Sequence, residues 1–311
     1  MKYSVVIPVY NKAPYIARTL TSVLAQNFDD YEIIVVDDGS TDDSMQKLRQ
    51  VQSPKIRIIR QENQGVAVAR NTGILAAQGE YIAFLDADDA WLPEYLQTID
   101  HLVENYPQSD IFVTAYEIAM ERKKNVSTQL VPEEGCLKSY WTTLTNKYDF
   151  VWTSATTIRK SALIQAGLFK PGEKIGQDLD MWARVARNNP RVAYSAKVCV
   201  SYTRNASENA RTRVKIAWAG AFLQDLEEEL DNASHTQEEL QAIQRKYDLK
   251  MTVYIYTSIL AGAKSRAFQA LKSWKGSRNT RNILLRAGLY VAAYMPQKLV
   301  QWVYQVRLKV F

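Results

Sequence analysis

The chain has 311 residues, of which 47% are hydrophobic and 23% are charged, as is ordinary for a globular protein. Its two cysteines, Cys136 and Cys199, are too few for a disulfide framework and fit a reducing compartment. The formal net charge is +6, but residues 1–248 carry −5 and the last 63 carry +11, with no acidic residue among those 63. This asymmetry predicts a separate role for the C-terminal part. The two histidines lie in polar contexts far from the acidic clusters, which argues against zinc chemistry.

Strand and helix patterns alternate along the first two thirds of the chain. In chain order they are strand 4–9, helix 13–26, strand 32–36, helix 42–51, strand 56–59, helix 65–77, strand 81–85, helix 93–105, strand 111–119, helix 178–188 and strand 191–200. This alternation predicts an α/β fold with a doubly wound, mainly parallel sheet flanked by helices. The pattern after about residue 206 is wholly helical. We therefore expect two parts, residues 1–206 and a basic, amphipathic helical region at 207–311.

An acidic cluster, Asp86-Ala87-Asp88, directly follows the apolar strand 81–85. Clustered carboxylates repel one another unless a cation or hydrogen-bond donors lie among them. Hard oxygen ligands of this kind suit Mg²⁺ or Mn²⁺, often shared with substrate phosphates. The sequence alone leaves two interpretations open, a metal site and a solvated acidic turn.

Polar groups also follow the other predicted parallel strands. Pro8, Tyr10 and Asn11 end the first strand, and Asp37 and Asp38 follow the second. The carboxyl ends of such strands form one edge of the sheet, where open α/β folds bind nucleotides. Neither a G-x-G-x-x-G fingerprint nor a Walker A motif is present, which argues against NAD(P) oxidoreductases and P-loop NTPases.

Taken together, the ordered motifs resemble the family 2 glycosyltransferases of GT-A fold. The resemblance covers roughly residues 3–205, and the motifs that carry it lie at 4–11, 35–42, 63–65, 69–73 and 79–89.

The resemblance implies a nucleoside-diphosphate sugar donor, UDP-linked, and a role for each matching residue. Pro8 and Tyr10 would line the base pocket. Asp38 would accept a hydrogen bond from the base, or alternatively cap the following turn. Asp37 would support the loop or the ribose.

At the acidic cluster, the resemblance implies that Asp88 is the direct ligand of Mn²⁺ or Mg²⁺ on the diphosphate. Asp86 would contact the ribose or the metal and its water. Arg70 would either pair with these carboxylates or touch the donor.

A second acidic element, residues 176–182, resembles the family's Glu-Asp motif at a helix start. Asp178 then matches the catalytic base of inverting members, and Gln177 replaces the preceding Glu. Asp180 competes for that role, but positions i and i+2 of a helix do not share a face, and we favour Asp178. A second departure lies near Arg204 and Asn205, where the family can place a metal-binding histidine and this chain has none.

Each of two regions rich in aromatic residues allows two interpretations. Trp152 and Ser154 precede the base helix and either contact a sugar or belong to the core. The stretch 282–295 is apolar, and aromatic residues interleave with Lys and Arg from Trp274 onward. This pattern predicts peripheral contact with an anionic membrane, or else a helical domain or oligomer contact. Nucleic-acid binding does not fit the catalytic half.

The sequence therefore predicts an inverting glycosyltransferase that acts on a glycan or lipid-linked glycan in cell-surface polysaccharide synthesis. The strand pattern begins at the N-terminus without a signal-peptide pattern, so we expect a cytoplasmic location at the inner face of the membrane. A degenerate, non-catalytic scaffold subunit and a sugar-phosphate nucleotidyltransferase are the alternatives. The latter class needs a glycine-rich loop after the first strand, which this chain lacks.

Overall fold

A computed structural model describes residues 1–120, 123–126, 134–145, 149–173, 175–203, 220–277 and 280–300. The chain divides into two compact units. The first holds Met1–Glu173 and Gln177–Ser207, and the second holds Glu208–Phe311 with Lys174–Gly176.

The described strands of the first unit form one mixed sheet. They are β1 (Tyr3–Val9), β2 (Tyr31–Asp38), β3 (Ile56–Gln61), β4 (Tyr81–Phe84), β5 (Ala90–Trp91), β6 (Ile111–Met120), β7 (Lys123–Val126), β8 (Glu134–Leu137), β9 (Thr156–Arg159) and β10 (Val192–Thr203). The order across the sheet is β3-β2-β1-β4-β9-β6-β10-β5, with β7 paired to β6 and β8 to β10. Strands β3, β2, β1 and β4 are mutually parallel, as are β6 and β10.

Helices flank this sheet. They are α1 (Ile16–Leu24), α2 (Ser44–Gln50), α3 (Val66–Ala76), α4 (Tyr95–Asn105), α5 (Lys160–Gln165) and α6 (Gln177–Asn188), with short 3-10 helices at Tyr140–Thr145 and Thr153–Ala155. The predicted fold class, a mainly parallel sheet flanked by helices, is confirmed. Continuous β-branched runs such as residues 33–36 are fully buried because helices cover both faces of the sheet.

Two details differ from the sequence prediction. Strand β2 continues through Asp37 and Asp38, because both pair with β3 as far as Gln61. The four short strands β5, β7, β8 and β9 were not predicted. Each has two to four residues, too few to show a periodic pattern, and each pairs antiparallel to its neighbours.

The described part of the second unit is helical. It contains α7 (Gly220–Leu230), α8 (Gln237–Leu260), α9 (Lys264–Ser273) and α10 (Thr280–Tyr294). Thr236 begins α8 with a capping box, since its hydroxyl accepts from the backbone of Glu239 while the Glu239 side chain accepts from Thr236. Within the described residues, no helix combines the length and apolarity needed to cross a membrane. Residues 301–311 of the predicted amphipathic region 207–311 lie outside the described residues.

Candidate active site

Three strand ends meet at one edge of the sheet in the first unit. Strand β1 lies between β2 and β4, with Val9 opposite Asp37 and Val6 opposite Phe84. Since the three strands are parallel, the segment after each one leaves from the same edge. The structure thus brings the groups predicted at residues 8–11, 37–38 and 86–88 to one place.

Asp86 is held by an ion pair with Arg70. The Arg70 guanidinium, 3% exposed, donates to Asp86 Oδ1 at 2.7 Å and lies 5.4 Å from the Phe169 ring. Of the two roles open for Arg70, pairing with a strand-end carboxylate is the one seen. Arg70 Nε and Nη1 are buried and have no acceptor among the described residues, so the guanidinium retains two donors beside Asp86.

Asp88 pairs with a lysine from the loop after β1. Lys12 Nζ lies 2.5 Å from Asp88 Oδ2, and both side chains are mostly buried, at 23% and 14% exposed. Arg18 donates to the Asp88 carbonyl at 2.6 Å and to the Thr203 hydroxyl at 2.7 Å. Two cations from the β1–α1 segment therefore stabilise the acidic turn.

Asp89 is the buried member of the acidic turn. Ser154 Oγ donates to Asp89 Oδ2 at 2.6 Å, and the Thr203 backbone donates to Oδ1 at 3.0 Å. Burial, and then the charges of Asp88 and Asp86, raise the pKa of the Asp89 carboxyl well above its ordinary value. Ser154 Oγ also accepts from the Asp86 backbone at 3.1 Å, so one hydroxyl links two of the three aspartates.

Asp37 and Asp38 are buried and bonded within the protein. Asp38 accepts from the Gln61 amide at 2.8 Å and from the backbones of Gln64 and Gly65 at 2.9 and 2.8 Å. It thus holds the turn that leads into α3, whose first residues leave backbone N–H groups without helical partners. Asp37 accepts from the Ser40 backbone at 3.1 Å and lies 3.3 Å from the exposed Arg60. The predicted base and ribose contacts of these residues stay predictions.

The loop after β1 presents Tyr10 to solvent. Its side chain is 38% exposed, and Pro8 is half-buried. Asn11 adopts a left-handed conformation, φ 53°, and its side chain accepts from the Thr41 backbone at 2.8 Å. This bond holds the β1 and β2 loops together and leaves the Tyr10 ring accessible at the edge.

Asp178 lies in the first turn of α6 and is tied to the acidic turn through a neighbouring pair of residues. Thr153 Oγ1 donates to Asp178 Oδ2 at 2.9 Å, and the next residue, Ser154, bonds Asp86 and Asp89. Asp178 Oδ1 accepts from its own helix at Leu179. The candidate base and the candidate metal ligands are therefore positioned by two consecutive side chains.

Asp180, the competing candidate, is fully buried in an ion-pair network. Lys170 Nζ lies 2.7 Å from Asp180 Oδ1, and Arg184 donates to Oδ2 through Nε at 3.0 Å and Nη2 at 2.5 Å. With 0% exposure it is closed to an acceptor hydroxyl. Its surroundings indicate a structural role.

The structure also shows the surroundings of Trp152 and Ser154, two residues that precede α6. Trp152 lies between Tyr116 and Tyr202, with ring centroids 5.4 and 4.6 Å away, as in an aromatic core. The Ser154 hydroxyl is fully buried and contacts carboxylates, so a direct contact with a sugar is wrong. Arg204 and Asn205 lie outside the described residues.

The family model described as Glycosyl transferase family 2 matches residues 4–167, just over half of the chain. The chain belongs to glycosyl transferase family 2.

Two bacterial proteins illustrate the sequence relatives of this family 2 chain. An uncharacterized glycosyltransferase of Nostoc sp. is 51% identical over 114 residues, which are 36% of this chain and 34% of that protein. Glycosyltransferase GlyA of Streptococcus pneumoniae is 39% identical over 117 residues, 37% of this chain and 17% of that protein. The matched segment thus spans about a third or less of these relatives.

Solved structures share the fold at low sequence identity. TarS of S. aureus, in complex with UDP-GlcNAc, gives a TM-score of 0.68 at 18% identity, covering 87% of this chain and 89% of that one. Mannosyltransferase PcManGT from Pyrobaculum calidifontis, in complex with GDP-Man and Mn²⁺, gives 0.59 at 18% identity, covering 99% and 86%.

The acidic turn of the family 2 chain suits a divalent cation only in company with other ligands. No group of three or more His, Cys, Asp or Glu side chains able to hold a metal occurs in the described part of the chain. Asp86 and Asp88 each use one oxygen in an ion pair, which leaves the second oxygen of each for a cation. Mg²⁺ is commonly bound by one or two carboxylates plus substrate phosphates, so the donor set fits a metal that a diphosphate completes.

Sequence reasoning missed several residues of this site. Lys12 and Arg18 follow the first strand without a motif of their own, and only the fold brings them to Asp88. Asp89 directly follows the acidic cluster, and no role is predicted for it from the sequence. A carboxylate that ends an apolar strand beside two others is a signal of burial, although its partner Ser154 lies 65 residues away.

Proposed function

We propose that this chain transfers a sugar from a nucleoside-diphosphate sugar to an acceptor hydroxyl, with inversion at the sugar C1. The observation that carries the proposal is the Thr153-Ser154 pair, which binds Asp178 on one side and the Asp86–Asp89 turn on the other. A single displacement at C1 requires a general base for the acceptor hydroxyl and a metal site that neutralises the leaving diphosphate. Here adjacent residues hold the candidates for both.

The nucleotide part of the donor would bind at the β1 and β2 strand ends. The exposed Tyr10 ring and Pro8 would contact the base, with Asp38 and Asp37 as its polar partners. The donor we propose is UDP-linked. TarS holds UDP-GlcNAc and PcManGT holds GDP-Man, so nucleotide-sugar binding accompanies this fold in both neighbours.

The diphosphate would lie at the acidic turn. Asp88 and Asp86 would hold Mn²⁺ or Mg²⁺, which when bound offsets the charge that grows on the departing diphosphate. The Lys12 ammonium, now paired with Asp88, and the Arg18 guanidinium, which donates to the Asp88 carbonyl, are cationic groups next to that position.

Asp178 would act as the general base. The acceptor oxygen forms a bond to C1 as the bond from C1 to the diphosphate oxygen breaks, and the hydroxyl proton passes to the Asp178 carboxylate. Thr153 orients that carboxylate by its bond to Oδ2. No protein nucleophile takes part, so one displacement inverts the stereochemistry.

We further propose that the acceptor is a glycan or lipid-linked glycan of polysaccharide synthesis, at the cytoplasmic face of the cell membrane. The basic, acid-free sequence after Asp248 supports contact with anionic lipids. The choice between hexosyl and N-acetylhexosaminyl donors follows from the experiment below.

Two competing functions call for discriminating measurements. Gln177, in place of the family's Glu, favours a non-catalytic scaffold subunit, which would bind a donor without turnover. A nucleotidyltransferase would instead exchange pyrophosphate with a nucleotide sugar. Donor hydrolysis and pyrophosphate exchange, each with Mn²⁺ and with EDTA, separate the three.

The direct test is a panel of nucleotide sugars screened for thermal stabilisation. A ligand at 100 times its Kd stabilises the folded state by about 2.7 kcal/mol. We expect one UDP-sugar to stabilise the chain with Mn²⁺ and to lose most of that effect with EDTA or in Asp88→Asn. The uridine proposal fails if only other nucleotides stabilise the protein, and the site assignment fails if Asp88→Asn responds like wild type.

A further inference from the structure

One face of helix α10, which carries Asn282, Arg286, Leu289 and Ala293, packs towards the interior of the second unit. Asn282, 9% exposed, donates to Asp248 Oδ2 at 2.6 Å. The Arg286 guanidinium donates to the Leu271 carbonyl at 3.0 Å and lies 5.3 Å from the Trp274 ring. These contacts fix which face of α10 is inward.

The opposite face of α10 is apolar and exposed. Ile283, Leu284, Val291 and Tyr294 are 55%, 67%, 56% and 77% exposed, respectively. At 100° per residue they fall within a sector of about 100°, together with the exposed Ala287. A surface helix of a globular protein normally turns its apolar stripe to the core and its polar side to water. Helix α10 does bury the apolar Leu289 and Ala293, but it also exposes a second apolar face to water, and an exposed apolar patch of this kind marks an interaction surface.

The charge of the sequence around this helix indicates which kind of partner the face binds. Residues 249–311 contain 11 Lys and Arg and no Asp or Glu, and Lys298, just beyond the helix, is exposed. An apolar helix face with only cations in its sequence neighbourhood complements a surface that is apolar inside and anionic outside. Fifteen residues of helix extend about 22 Å, less than the hydrocarbon thickness of about 30 Å, which suits a helix lying in the interface.

We propose that the exposed face of α10, defined by Ile283, Leu284, Val291 and Tyr294, inserts into the headgroup region of an anionic lipid bilayer. This proposal adds to the proposed function the surface that contacts the membrane. It rests on the proposed function only in taking the acceptor to be located at a membrane. Leu284 and Val291 would contribute apolar burial, and the Tyr294 hydroxyl would remain at headgroup depth.

The test uses the full chain and vesicles of phosphatidylcholine, with and without phosphatidylglycerol. The double variant Leu284→Gln/Val291→Gln changes only exposed side chains. Leu75→Gln on α3, at 63% exposure, is the matched control in the first unit. Circular dichroism and urea unfolding check that all three proteins are folded, and the single variant Leu284→Gln replaces the double variant if that one is unstable.

We expect wild type and Leu75→Gln to sediment with anionic vesicles, more weakly with neutral ones and more weakly at high salt. The double variant should partition at least about tenfold less. Equal partitioning of the double variant and wild type overturns the proposal. A second outcome also overturns it: light scattering finds that wild type is a dimer and the double variant a monomer, while vesicle binding is unchanged. A second copy of the chain would then cover the face.

Donor hydrolysis without vesicles separates this proposal from the proposed function. The double variant should hydrolyse donor like wild type, because its changes lie in another unit from the aspartates. Vesicle binding by a wild type that turns over no donor would leave the membrane contact standing and would overturn the enzyme assignment alone.

Discussion

Ser154→Ala is the substitution that probes the link between the acidic turn and the base helix. The hydroxyl is 0% exposed, donates to Asp89 Oδ2 at 2.6 Å and accepts from the Asp86 backbone at 3.1 Å. Alanine keeps the volume nearly unchanged and removes both bonds. The cost is therefore that of two polar groups left without a partner, rather than that of a cavity.

The magnitude follows from those two groups. A buried donor or acceptor without a partner costs about 1–3 kcal/mol. Asp89 keeps the bond from Thr203, and the rest of the Asp86 residue reaches solvent, which places each loss in the lower half of that range. We expect Ser154→Ala to lower the free energy of unfolding by about 2–4 kcal/mol, and to weaken Mn²⁺-dependent donor stabilisation because Asp86 loses its backbone anchor.

Urea unfolding followed by circular dichroism measures the first effect, and the nucleotide-sugar thermal shift measures the second. Ser109→Ala is the control, since Ser109 is equally buried and, within the described residues, its hydroxyl bonds to the Cys136 sulfur at 3.3 Å rather than to a carboxylate. It should cost less than about 1 kcal/mol. If Ser154→Ala is no more destabilising than Ser109→Ala, the hydroxyl does not link the aspartates as argued.

Two further substitutions separate structural from functional charges. Asp180→Asn should lower the free energy of unfolding by about 3 kcal/mol, because it leaves the largely buried Arg184 without its ion pair. Urea unfolding measures this loss, and a loss under about 1 kcal/mol would contradict the structural role of Asp180. Lys12→Met should raise the affinity of the donor-free chain for Mn²⁺ about 1.4- to 5-fold, since an ion pair worth about 0.2–1 kcal/mol no longer competes for Asp88. Electron paramagnetic resonance of free Mn²⁺ measures that affinity, and unchanged or weaker binding would show that Lys12 does not compete with the cation.

The parallel half of the fold was predictable because its signals are local. Apolar runs such as residues 33–36 form buried strands, and the helices between them keep their apolar residues at helical spacing. The order of polar strand ends then placed the site at one edge of the sheet without any contact information. Motif resemblance supplied the individual roles.

The rest depended on long-range contacts. Strand β9 enters the sheet between β4 and β6, antiparallel to both, and its four residues carry no pattern that predicts this position. Likewise, Lys12 reaches Asp88 across 76 residues, and Thr153 reaches Asp178 across 25. Such pairings are set by the packing of the whole unit rather than by local spacing.

The measurement that bears most directly on the central claim is the comparison of sugar transfer and donor binding in Asp178→Asn. The amide keeps the size of the side chain and can still accept from Thr153, but it cannot take up the acceptor proton. A general base contributes about 10²- to 10⁴-fold to the rate. We predict that turnover falls by that factor while Mn²⁺-dependent donor binding stays near wild type, and near-normal turnover would contradict the assignment of Asp178 as the base.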